Sequence, residues 1–451
     1  PGAVIGLRYE FDLRGVTKLP SYVFISDVDS ENLAAILELN TPGLMVESST
    51  VREYHTTYGA HILGYMGAMT DAEWQGNQKL GYSMDADVGK SGFEQAFETY
   101  LHGIDGQRLD KVTKEGTIVS QQYLEGKEPV AGNNVETTID IDLQKVAEDA
   151  LAKRMKELTD PNINTGGEGE GIDAQGAAVV VMKVKTGEIL ACASYPTFNL
   201  ATMKEDWDAI NSDDLKPLFN RAFGATYAPG STYKMCTLVA AMENVYGPTN
   251  PKAGQPIYAP GETIYDTGVF SHDDFPDFHP TCLFYSSSYG SHGDLTAQDA
   301  LKVSCNLFFY ELGYRMTIEM MDETAKGFGL GEPTGIELTE KVGWRANEAS
   351  KKASYKNSAD AAWNGGDRVL CAIGQSENRY TPLQLCVYAC TLANRGTRYR
   401  ATFLNRVASS DYRTLIKQTE PEVVSKMDIS YDTYEVYMNG MRKVVTEIGG
   451  T

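Results

Sequence analysis

The sequence changes character near residue 136, and this change constrains the fold more than any other feature. Before it, short apolar runs such as SYVFISDV and AHILGYMGAM alternate with turn signals such as HGIDG and VAGNN, a pattern typical of mixed short strands and turns. After it, TTIDIDLQKVAEDALAKRMKEL repeats apolar residues at helical spacing, and Asp142 can cap that helix. A chain of 451 residues exceeds one ordinary core. The sequence therefore predicts a mixed, strand-rich domain over residues 1–135 and a second domain over residues 136–451.

The net charge excludes one class of function. Lys and Arg number 40 against 61 Asp and Glu, which is a formal net charge of -21. Such a surface repels nucleic-acid phosphates and anionic lipid, so no nucleic-acid partner is expected. The sequence has neither an apolar stretch of about 18 residues nor the basic start of a signal peptide. We expect a protein that is either cytosolic or trimmed of a targeting or anchoring segment.

Local signals place several segments of the second domain. Residues 159–173 are acidic and rich in Gly, which predicts a loop. The run GAAVVVMKVKTGEILACASY has two apolar stretches around KTGE and predicts a β-hairpin. Residues 345–367 are polar and of low complexity, which predicts a surface insertion. Capping signals predict three helices, at residues 231–244, 297–313 and 382–394.

Ser231 and Lys234 are the first residues that could carry chemistry. They are one helical turn apart, so both side chains project on the same face. A neutral lysine amine can take the proton of a serine hydroxyl if burial or a second cation lowers the lysine pKa. Free N–H groups at the helix start suit an oxyanion. Alone the pair is a weak indication, because an exposed Ser beside a solvated Lys is the simpler interpretation.

Ser304 and Asn306 add a second polar pair. In KVSCNLFFYELG they lie inside an otherwise apolar helix, where polar groups need a partner. A Ser-x-x-Lys followed by a Ser-x-Asn is the motif order of penicillin-binding proteins and class A β-lactamases, which end with a Lys-Thr-Gly. Tyr233, between the first two candidates, is expected to be a wall of the site.

Several stretches, in this order, resemble the class B penicillin-binding proteins, which are monofunctional peptidoglycan transpeptidases. The resemblance runs over nearly the whole length through REYHTTYGAHILGYMG, GKSGFEQAFETYLHGIDG, TTIDIDLQ, GAAVVVMKVKTGEILACASYPTFN, NRAFGATYAPGSTYK, SHGDLTAQDALKVSCNLFFYELG and IGQSENRYTPLQLCVYACTLANRG. It implies an α+β fold in which a pedestal precedes a penicillin-binding transpeptidase domain, an antiparallel sheet flanked by helices. Class A β-lactamases are shorter and lack the pedestal.

The resemblance also implies a mechanism that needs no cofactor. Ser231 would attack the carbonyl between two terminal D-alanines of a stem peptide, with Lys234 as base. Ser304 and Asn306 would relay the proton and hold the substrate amide. An amine of a neighbouring stem would then attack the acyl-enzyme to form a crosslink. β-Lactams, which mimic the D-alanyl pair, are expected to acylate Ser231 and remain bound.

Two departures from the family pattern stand out. Lys185-Thr186-Gly187 spells the third motif but lies upstream of Ser231 in the predicted hairpin turn, so we reject it as catalytic. No later Lys-Thr-Gly follows, and the chain ends at VVTEIGGT, so we expect truncation before the third motif. The membrane anchor usual at the family's N-terminus is also missing.

A metal site is the most unusual local prediction. Half of the six His lie between residues 272 and 292, among Asp and Cys residues, and zinc prefers four N, S or O ligands. Some elongation-type members of the family hold a zinc beside the second motif. That resemblance suggests a structural zinc on Asp266, Cys282, His292 and Cys305, with His279 in reserve. The alternative is a buried Cys305 beside a solvated acidic loop. Cys386 and Cys390, a helical turn apart, are expected to pack in the core.

The leading prediction is a serine-type peptidoglycan D,D-transpeptidase at the extracytoplasmic face of the bacterial membrane, single-pass anchored in its full form. Its predicted partners are stem peptides, β-lactams and a glycan polymerase of the elongation or division machinery, with the elongation role preferred because of the metal-like loop. Two alternatives stay open. One is a D,D-carboxypeptidase or β-lactamase relative that passes the acyl group to water, and the other is a catalytically incomplete scaffold or β-lactam sensor.

Overall fold

The computed structural model describes residues 2–14, 23, 25, 28–39, 41, 44, 46, 51–77, 81–82, 86–114, 118–166, 170–355 and 359–451. The chain divides into two compact units. One comprises Pro1–Arg52 and Ile104–Val130, and the other comprises Glu53–Gly103 and Ala131–Thr451. The boundary predicted at residue 135 stays a prediction.

The helices are distributed along both units. They are α1 (Gly2–Arg14), α2 (Ser30–Glu38), α3 (Ala60–Leu63), α4 (Asp71–Asn77), α5 (Gly92–Ala96), α6 (Glu98–Leu101), α7 (Ile141–Thr159), α8 (Trp207–Ser212), α9 (Arg221–Gly224), α10 (Lys234–Glu243), α11 (Leu283–Ser288), α12 (Ala297–Lys302), α13 (Asn306–Arg315), α14 (Ile318–Gly327), α15 (Glu348–Ser354), α16 (Gly365–Cys371), α17 (Pro382–Ala393) and α18 (Tyr431–Thr446). Short 3-10 turns span Gly230–Tyr233 and Ala359–Ala361.

The strands are short and pair antiparallel. They are β1 (Met66–Ala68), β2 (Asp87–Gly89), β3 (Arg108–Val112), β4 (Ile118–Tyr123), β5 (Asn134–Thr137), β6 (Ala177–Met182), β7 (Ile189–Tyr195), β8 (Ile264–Asp266), β9 (Gly293–Leu295), β10 (Thr397–Tyr399), β11 (Leu404–Ala408), β12 (Leu415–Gln418) and β13 (Val423–Lys426). The pairs are β1–β2, β3–β4, β6–β7, β8–β9 and β10–β13, and the strands β12, β11 and β5 form a three-stranded sheet in that order. The α+β fold class is confirmed.

The N-terminal third contains helices as well as the expected strands. The run SYVFISDV falls largely outside the described residues. The run AHILGYMGAM divides into helix α3 and strand β1, separated by Gly64 at φ 79°. An added Cβ on Gly64 would lie 1.9 Å from the carbonyl oxygen of Ser91, so this break depends on a residue without a side chain.

Helix α7 confirms the predicted amphipathic segment but not its cap. The N-cap is Asp140, whose carboxylate accepts hydrogen bonds from the backbone N–H groups of Asp142 and Leu143. Asp142 is wrong as the cap because it already lies in the first helical turn, where its negative charge still favours the helix N-terminus.

The predicted hairpin is formed by β6 and β7, with Ala177 opposite Tyr195 and Met182 opposite Ile189. Its turn contains Lys185-Thr186-Gly187, as the sequence predicts. Backbone hydrogen bonds from Ile189 to Thr402 and from Thr138 to Phe403 extend this layer towards β11. The expected antiparallel sheet is thus present as several short, linked pieces.

Helix α10 lies in the largest apolar core and packs against α13, α14 and α18. Helix α17 begins at Pro382 as predicted and ends at Ala393, one residue before the predicted end: Thr381 and Gln384 form a capping box, and Gly396 follows the helix at φ 85°. The single helix predicted at 297–313 is wrong. Two helices, α12 and α13, replace it because the backbone breaks at Ser304, whose φ is 49°.

The described residues of the polar segment 345–367, which was predicted to be a surface insertion, include helix α15 and the start of helix α16. Asn347 and Ser350 form a capping box that starts α15. Lys351 on this helix is only 8% exposed, and its ammonium lies 2.6 Å from the carboxylate of Asp367. This buried ion pair holds α15 to the start of α16. The prediction missed it because both partners are residues that usually face water.

A search of the described residues for a helix that is both long and apolar enough to span a bilayer finds none.

Candidate active site

The turn that carries Ser231 is held by close backbone contacts. Gly230 has a φ of 55°, and its N–H donates to the carbonyl oxygen of Gly374. A Cβ on Gly374 would lie 2.2 Å from the carbonyl oxygen of Gly230, so no side chain fits there. The 3-10 turn Gly230–Tyr233 then runs directly into α10. Ser231 is consequently exposed at the tip of a buried helix.

Tyr388 on α17 supports the same turn from the protein interior. Its buried hydroxyl donates to the carbonyl oxygen of Thr232 at 3.1 Å and accepts from the N–H of Cys236 at 2.9 Å. The hydroxyl thus bridges the 3-10 turn and the first turn of α10. Tyr233 is also buried and stacks on Tyr380. Burial raises the pKa of Tyr233 well above its ordinary value, so this residue is a wall of the site and cannot act as a base at neutral pH.

Lys234 lies behind Ser231 and is almost completely buried, with 1% of its surface exposed. Its Nζ donates to the carbonyl oxygen of Ser304 at 2.7 Å, to Ser304 Oγ at 3.0 Å and to Asn306 Oδ1 at 2.8 Å. The same nitrogen lies 5.5 Å from the centre of the Phe309 ring. All three ammonium protons have acceptors, so the position of this amine is strongly determined.

Ser304 connects the amine to Ser231. Ser304 Oγ lies 3.0 Å from Ser231 Oγ and 3.0 Å from Lys234 Nζ. The sequence predicted that the Ser231 hydroxyl would contact the Lys234 amine. In this structure the Ser304 hydroxyl lies between them and contacts both. The left-handed φ of Ser304 turns the backbone so that both its carbonyl oxygen and its hydroxyl face Lys234.

Burial changes the acid–base behaviour of Lys234. Loss of hydration lowers the pKa of this amine from 10.5 to about 8, and the nearby thiols of Cys305 and Cys282 oppose the shift only in part. With a pKa near 8, about a tenth of the amine is neutral at pH 7. A neutral amine in contact with a hydroxyl chain that ends at Ser231 can act as a general base.

Asn306 begins α13 and presents its amide to the site. An ammonium group can only donate, so the amide oxygen of Asn306 faces Lys234 Nζ. Its amide nitrogen is then the group that can donate to a bound carbonyl. The four predicted residues Ser231, Lys234, Ser304 and Asn306 therefore meet in one hydrogen-bonded group. Lys185-Thr186-Gly187 has different neighbours: the Thr186 hydroxyl donates to Glu188 at 2.6 Å, and Gly187 packs against the backbone of Arg400.

The four predicted metal ligands also come together, next to the second polar pair. Ligand atoms of Asp266, Cys282, His292 and Cys305 all lie within 4.8 Å of one another. The two sulfurs are 3.8 Å apart, Cys305 Sγ is 3.5 Å from Asp266 Oδ2, and His292 Nδ1 is 2.6 Å from Asp266 Oδ2. The reserve ligand His279 lies outside this group, with its Nε2 2.8 Å from the carbonyl oxygen of Pro276.

The donor set of this cluster fits zinc. Zinc bonds of about 2.0–2.3 Å in a tetrahedron put neighbouring ligand atoms about 3.3–3.8 Å apart, close to the sulfur contacts seen here. Three of the residues are buried, and His292 is half-buried. Burial opposes ionisation of Asp266, but hydrogen bonds from the Gly268 N–H and from His292 keep the pKa of its carboxyl below the ordinary value. A buried negative charge beside two thiols is a suitable site for a divalent cation.

Comparison with protein families supports the assignment of both parts of the chain. The penicillin-binding protein dimerisation domain matches residues 9–137. The penicillin-binding protein transpeptidase domain matches residues 177–262 and 264–451, which is more than half of the chain. The chain belongs to the penicillin-binding protein transpeptidase family. The predicted fold, a transpeptidase domain after a separate N-terminal domain, is confirmed.

Curated relatives of this penicillin-binding protein are named peptidoglycan D,D-transpeptidase MrdA. The protein from Acinetobacter baumannii is 28% identical over 404 residues, which cover 86% of this chain and 53% of the relative. The one from Haemophilus influenzae is 30% identical over 374 residues, covering 78% and 50%. The chain spans about half the length of these relatives.

Solved structures show the same fold. A chain of a peptidoglycan synthase complex, described as coordinating polymerization and crosslinking, matches with a TM-score of 0.72 and 25% identity, over 98% of this chain and 71% of that one. Penicillin-binding protein 2 of Pseudomonas aeruginosa, in complex with WCK 5153, matches with a TM-score of 0.68 and 21% identity, over 89% and 75%. The second likeness concerns the fold alone.

Two supporting residues of this penicillin-binding protein site were missed by sequence reasoning. Gly374 and Tyr388 contact the Ser231 turn from segments more than 140 residues away in sequence. Gly374 stands in IGQSEN, where a Gly outside a regular element is a signal for close backbone approach. Tyr388 gave no signal, because it looks like one more apolar position on a predicted helix.

Proposed function

We propose that this chain carries the acylation site of a serine-type peptidoglycan D,D-transpeptidase. One observation carries the proposal: a buried lysine amine with a lowered pKa is connected through the Ser304 hydroxyl to the exposed hydroxyl of Ser231. An exposed hydroxyl joined to a buried amine is the arrangement of an activated nucleophile. The names of the curated relatives support the same activity.

In the proposed acylation, Ser231 Oγ attacks the carbonyl carbon between two terminal D-alanines. The Ser231 proton passes to Ser304 Oγ while the Ser304 proton passes to the neutral amine of Lys234. The N–H of Gly230 donates to Gly374, so N–H groups that follow it in the Gly230–Tyr233 turn would stabilise the oxygen that becomes negative. The same path returns the proton to the leaving amine of D-alanine, and the ester of Ser231 remains.

In the second half-reaction, the amine of a neighbouring stem peptide attacks the ester. The Lys234–Ser304 pair takes the proton of that amine, and Ser231 leaves with a proton. Asn306 holds the acyl chain by donating its amide N–H to a backbone carbonyl of the stem. A β-lactam follows the first half-reaction, but the opened ring stays tethered and blocks the second nucleophile. None of these steps needs a cofactor.

Acylation by a fluorescent penicillin tests the nucleophile. Ser231→Ala is expected to abolish labelling without a large loss of stability, because Ser231 is exposed. Ser212→Ala, on the exposed helix α8, is the matched control and should label normally. Intact-mass detection of a penicillin adduct on the Ser231→Ala protein would refute the assignment.

Deacylation separates the transpeptidase from a hydrolytic relative. If the opened ring blocks the second nucleophile, as proposed, the penicillin adduct should persist for hours after free label is removed. Loss of the adduct within seconds would instead indicate a β-lactamase or carboxypeptidase relative. A chain that never forms an adduct, although correctly folded, would support the scaffold alternative.

We also propose a structural zinc ion on Asp266, Cys282, His292 and Cys305. When bound, it would brace the segment between β8 and α12 against Cys305, the residue between Ser304 and Asn306, and it would take no part in the chemistry. Elemental analysis of protein purified without added zinc should find about one equivalent. Less than a tenth of an equivalent would dismiss the site, and Cys305→Ser should lower the zinc content while Cys386→Ser should not.

The cellular role is proposed from the chemistry and from the relatives. A crosslinking enzyme needs nascent glycan strands, so its partner is a glycan polymerase, of the elongation machinery by preference, and its place is the extracytoplasmic face of the membrane. The likeness to a synthase complex that coordinates polymerization and crosslinking supports that partner. Residues 1–135 would serve as the pedestal of residues 136–451, with a membrane anchor in the full-length protein. Crosslinked products that appear only when polymerase and chain are combined would support this role.

A further inference from the structure

The thiols of Cys282 and Cys305 are in contact next to the second polar pair, Ser304 and Asn306. Cys282 Sγ is 3.8 Å from Cys305 Sγ, and the two side chains are 1% and 0% exposed. Each cysteine is the N-cap of a helix, Cys282 of α11 and Cys305 of α13, with an extended backbone. The pair joins two segments that are 23 residues apart in sequence and that come together only in the folded chain.

The distance suits a covalent link after a small movement. A disulfide bond is about 2.05 Å long, so the sulfurs need to approach by about 1.8 Å from their present 3.8 Å. Each sulfur lies one side-chain torsion away from its backbone, so rotation about these two torsions changes the distance between the sulfurs. Both cysteines stand just outside their helices, so such rotation does not require the helical hydrogen bonds to break.

We propose that Cys282 and Cys305 form an oxidative modification site, at which a peroxide converts the two free thiols into a disulfide when no metal ion is held there. One thiolate attacks an oxygen of hydrogen peroxide, which breaks the O–O bond and leaves a sulfenic acid and hydroxide. The second thiolate attacks that sulfur and forms the S–S bond as hydroxide leaves. With the two thiol protons the sum is two thiols and one peroxide giving one disulfide and two waters.

The modification and metal binding exclude each other. Both sulfurs are members of the four-residue cluster with Asp266 and His292, and a metal ligand must be a free thiolate. A disulfide removes two of the four donors, while a bound cation occupies the electron pairs that would attack the peroxide. This second part rests on the proposed metal site, whereas formation of the disulfide does not.

The modification would also affect the acylation site, because Cys305 shares its backbone segment with two residues of that site. Cys305 lies between Ser304 and Asn306, whose side chains contact Lys234. The sulfur of Cys305 accepts from the N–H of Phe308 at 3.4 Å, and that contact weakens when the sulfur turns towards Cys282. Oxidation of the two thiols would therefore shift the backbone that carries the second polar pair, Ser304 and Asn306.

Peptide mapping without reduction tests the disulfide. The folded protein is treated with a chelator and a small excess of hydrogen peroxide, then with a thiol-blocking reagent and trypsin. Cleavage after Lys252, Lys302 and Arg315 separates the two cysteines, so the bond joins peptides 253–302 and 303–315. We expect this linked species in more than half of the protein, and its disappearance after treatment with dithiothreitol.

The other close pair provides the internal control. Cys386 and Cys390 are one turn apart on α17 and lie in a single tryptic peptide, so their bond would be seen as a mass loss within residues 380–395. Geometry along one helix does not favour that bond, and we expect both thiols to be blocked instead. Crosslinks scattered over the seven cysteines, or a 282–305 link formed only in denaturant, would overturn the proposal. Sulfinic acid at Cys305 without a link would do the same.

Two further measurements complete the test. Cys282→Ser should abolish the link, and circular dichroism of the oxidised wild type should remain that of the folded protein. Added Zn²⁺ should slow formation of the link at least tenfold. Equal rates with and without zinc would overturn the mutual exclusion, and a link that forms in protein unable to bind zinc would show that the modification site stands although the proposed metal site fails.

Discussion

The hydroxyl of Ser304 lies 3.0 Å from the hydroxyl of Ser231 and 3.0 Å from the buried amine of Lys234, so it links the nucleophile to that amine. Ser304 occupies a left-handed backbone conformation between helices α12 and α13. A residue other than Gly is uncommon there, since the conformation costs roughly 1 kcal/mol or more. The chain thus accepts a local cost at the residue that would move the proton.

Removal of the Ser304 hydroxyl should slow acylation strongly. Without it, the Ser231 proton has no relay to Lys234, so Ser304→Ala is expected to lower the second-order rate of penicillin labelling about 10²- to 10⁴-fold. Ser212→Ala serves again as control. A Ser304→Ala protein that labels at the wild-type rate would show that Lys234 reaches Ser231 without the bridge.

Replacement of Ser304 by Gly separates the effect of backbone strain on stability from the effect of the lost hydroxyl on acylation. Gly adopts a φ near 49° without the steric cost of a Cβ, so Ser304→Gly should unfold at a higher urea concentration than Ser304→Ala, by about 1 kcal/mol in the free energy of unfolding. Both variants should lose acylation to a similar extent. If the Gly variant is the less stable of the two, the left-handed conformation is not a source of strain.

The acylation rate should rise with pH through the pKa of Lys234. Burial lowers that pKa from 10.5 to about 8, and only the neutral amine can accept the proton. The rate constant for penicillin labelling should therefore increase about tenfold per pH unit well below pH 8 and level off above it. Lys252→Met, at an exposed lysine, should keep this profile. A rate that falls between pH 6 and 8 would exclude Lys234 as the base.

The Tyr388 hydroxyl should matter for both stability and acylation. Tyr388→Phe leaves the Thr232 carbonyl and the Cys236 N–H without their partner, which should cost about 1–3 kcal/mol of stability. The Ser231 turn then loses a support, and labelling should slow about tenfold.

Tyr437→Phe is the matched control for this change. Tyr437 is also fully buried, and its hydroxyl donates to the backbone of Leu392 at 2.7 Å, away from the Ser231 turn. It should lose comparable stability in urea unfolding and label at the normal rate. Equal labelling of the two variants would mean that Tyr388 has only a structural role.

Local signals were sufficient for much of the fold. Both ends of the helix after Thr381 were predicted to within one residue, because the capping box and Pro382 mark its start and Gly396 marks its end. The hairpin β6–β7 followed from two apolar runs around a turn. The predicted cap at Asp142 was off by two residues, since several acidic residues near a helix start can serve and only the backbone angles decide between them.

The sequence predicted which residues form the candidate site, but it did not predict how they are arranged. Ser231, Lys234, Ser304 and Asn306 carried a motif signal, but the sequence suggested an unbroken helix through Ser304. The break there is imposed from outside: the backbone of Ser304 turns to bring both its oxygens to the ammonium of Lys234, 70 residues away. Helical periodicity considers only residues within one or two turns, so it could not predict an interaction with Lys234 and wrongly predicted a continuous helix.

The sequence by itself determined which side chains are available, where most helices begin, and which acidic, imidazole and thiol groups could share a cation. Only the tertiary structure decided that Lys234 is buried enough to lose part of its basicity, that Ser304 bridges it to Ser231, and that Cys282 contacts Cys305. The reason is physical: capping and periodicity depend on neighbours within one or two turns, whereas desolvation and contact between distant segments depend on how the whole core packs.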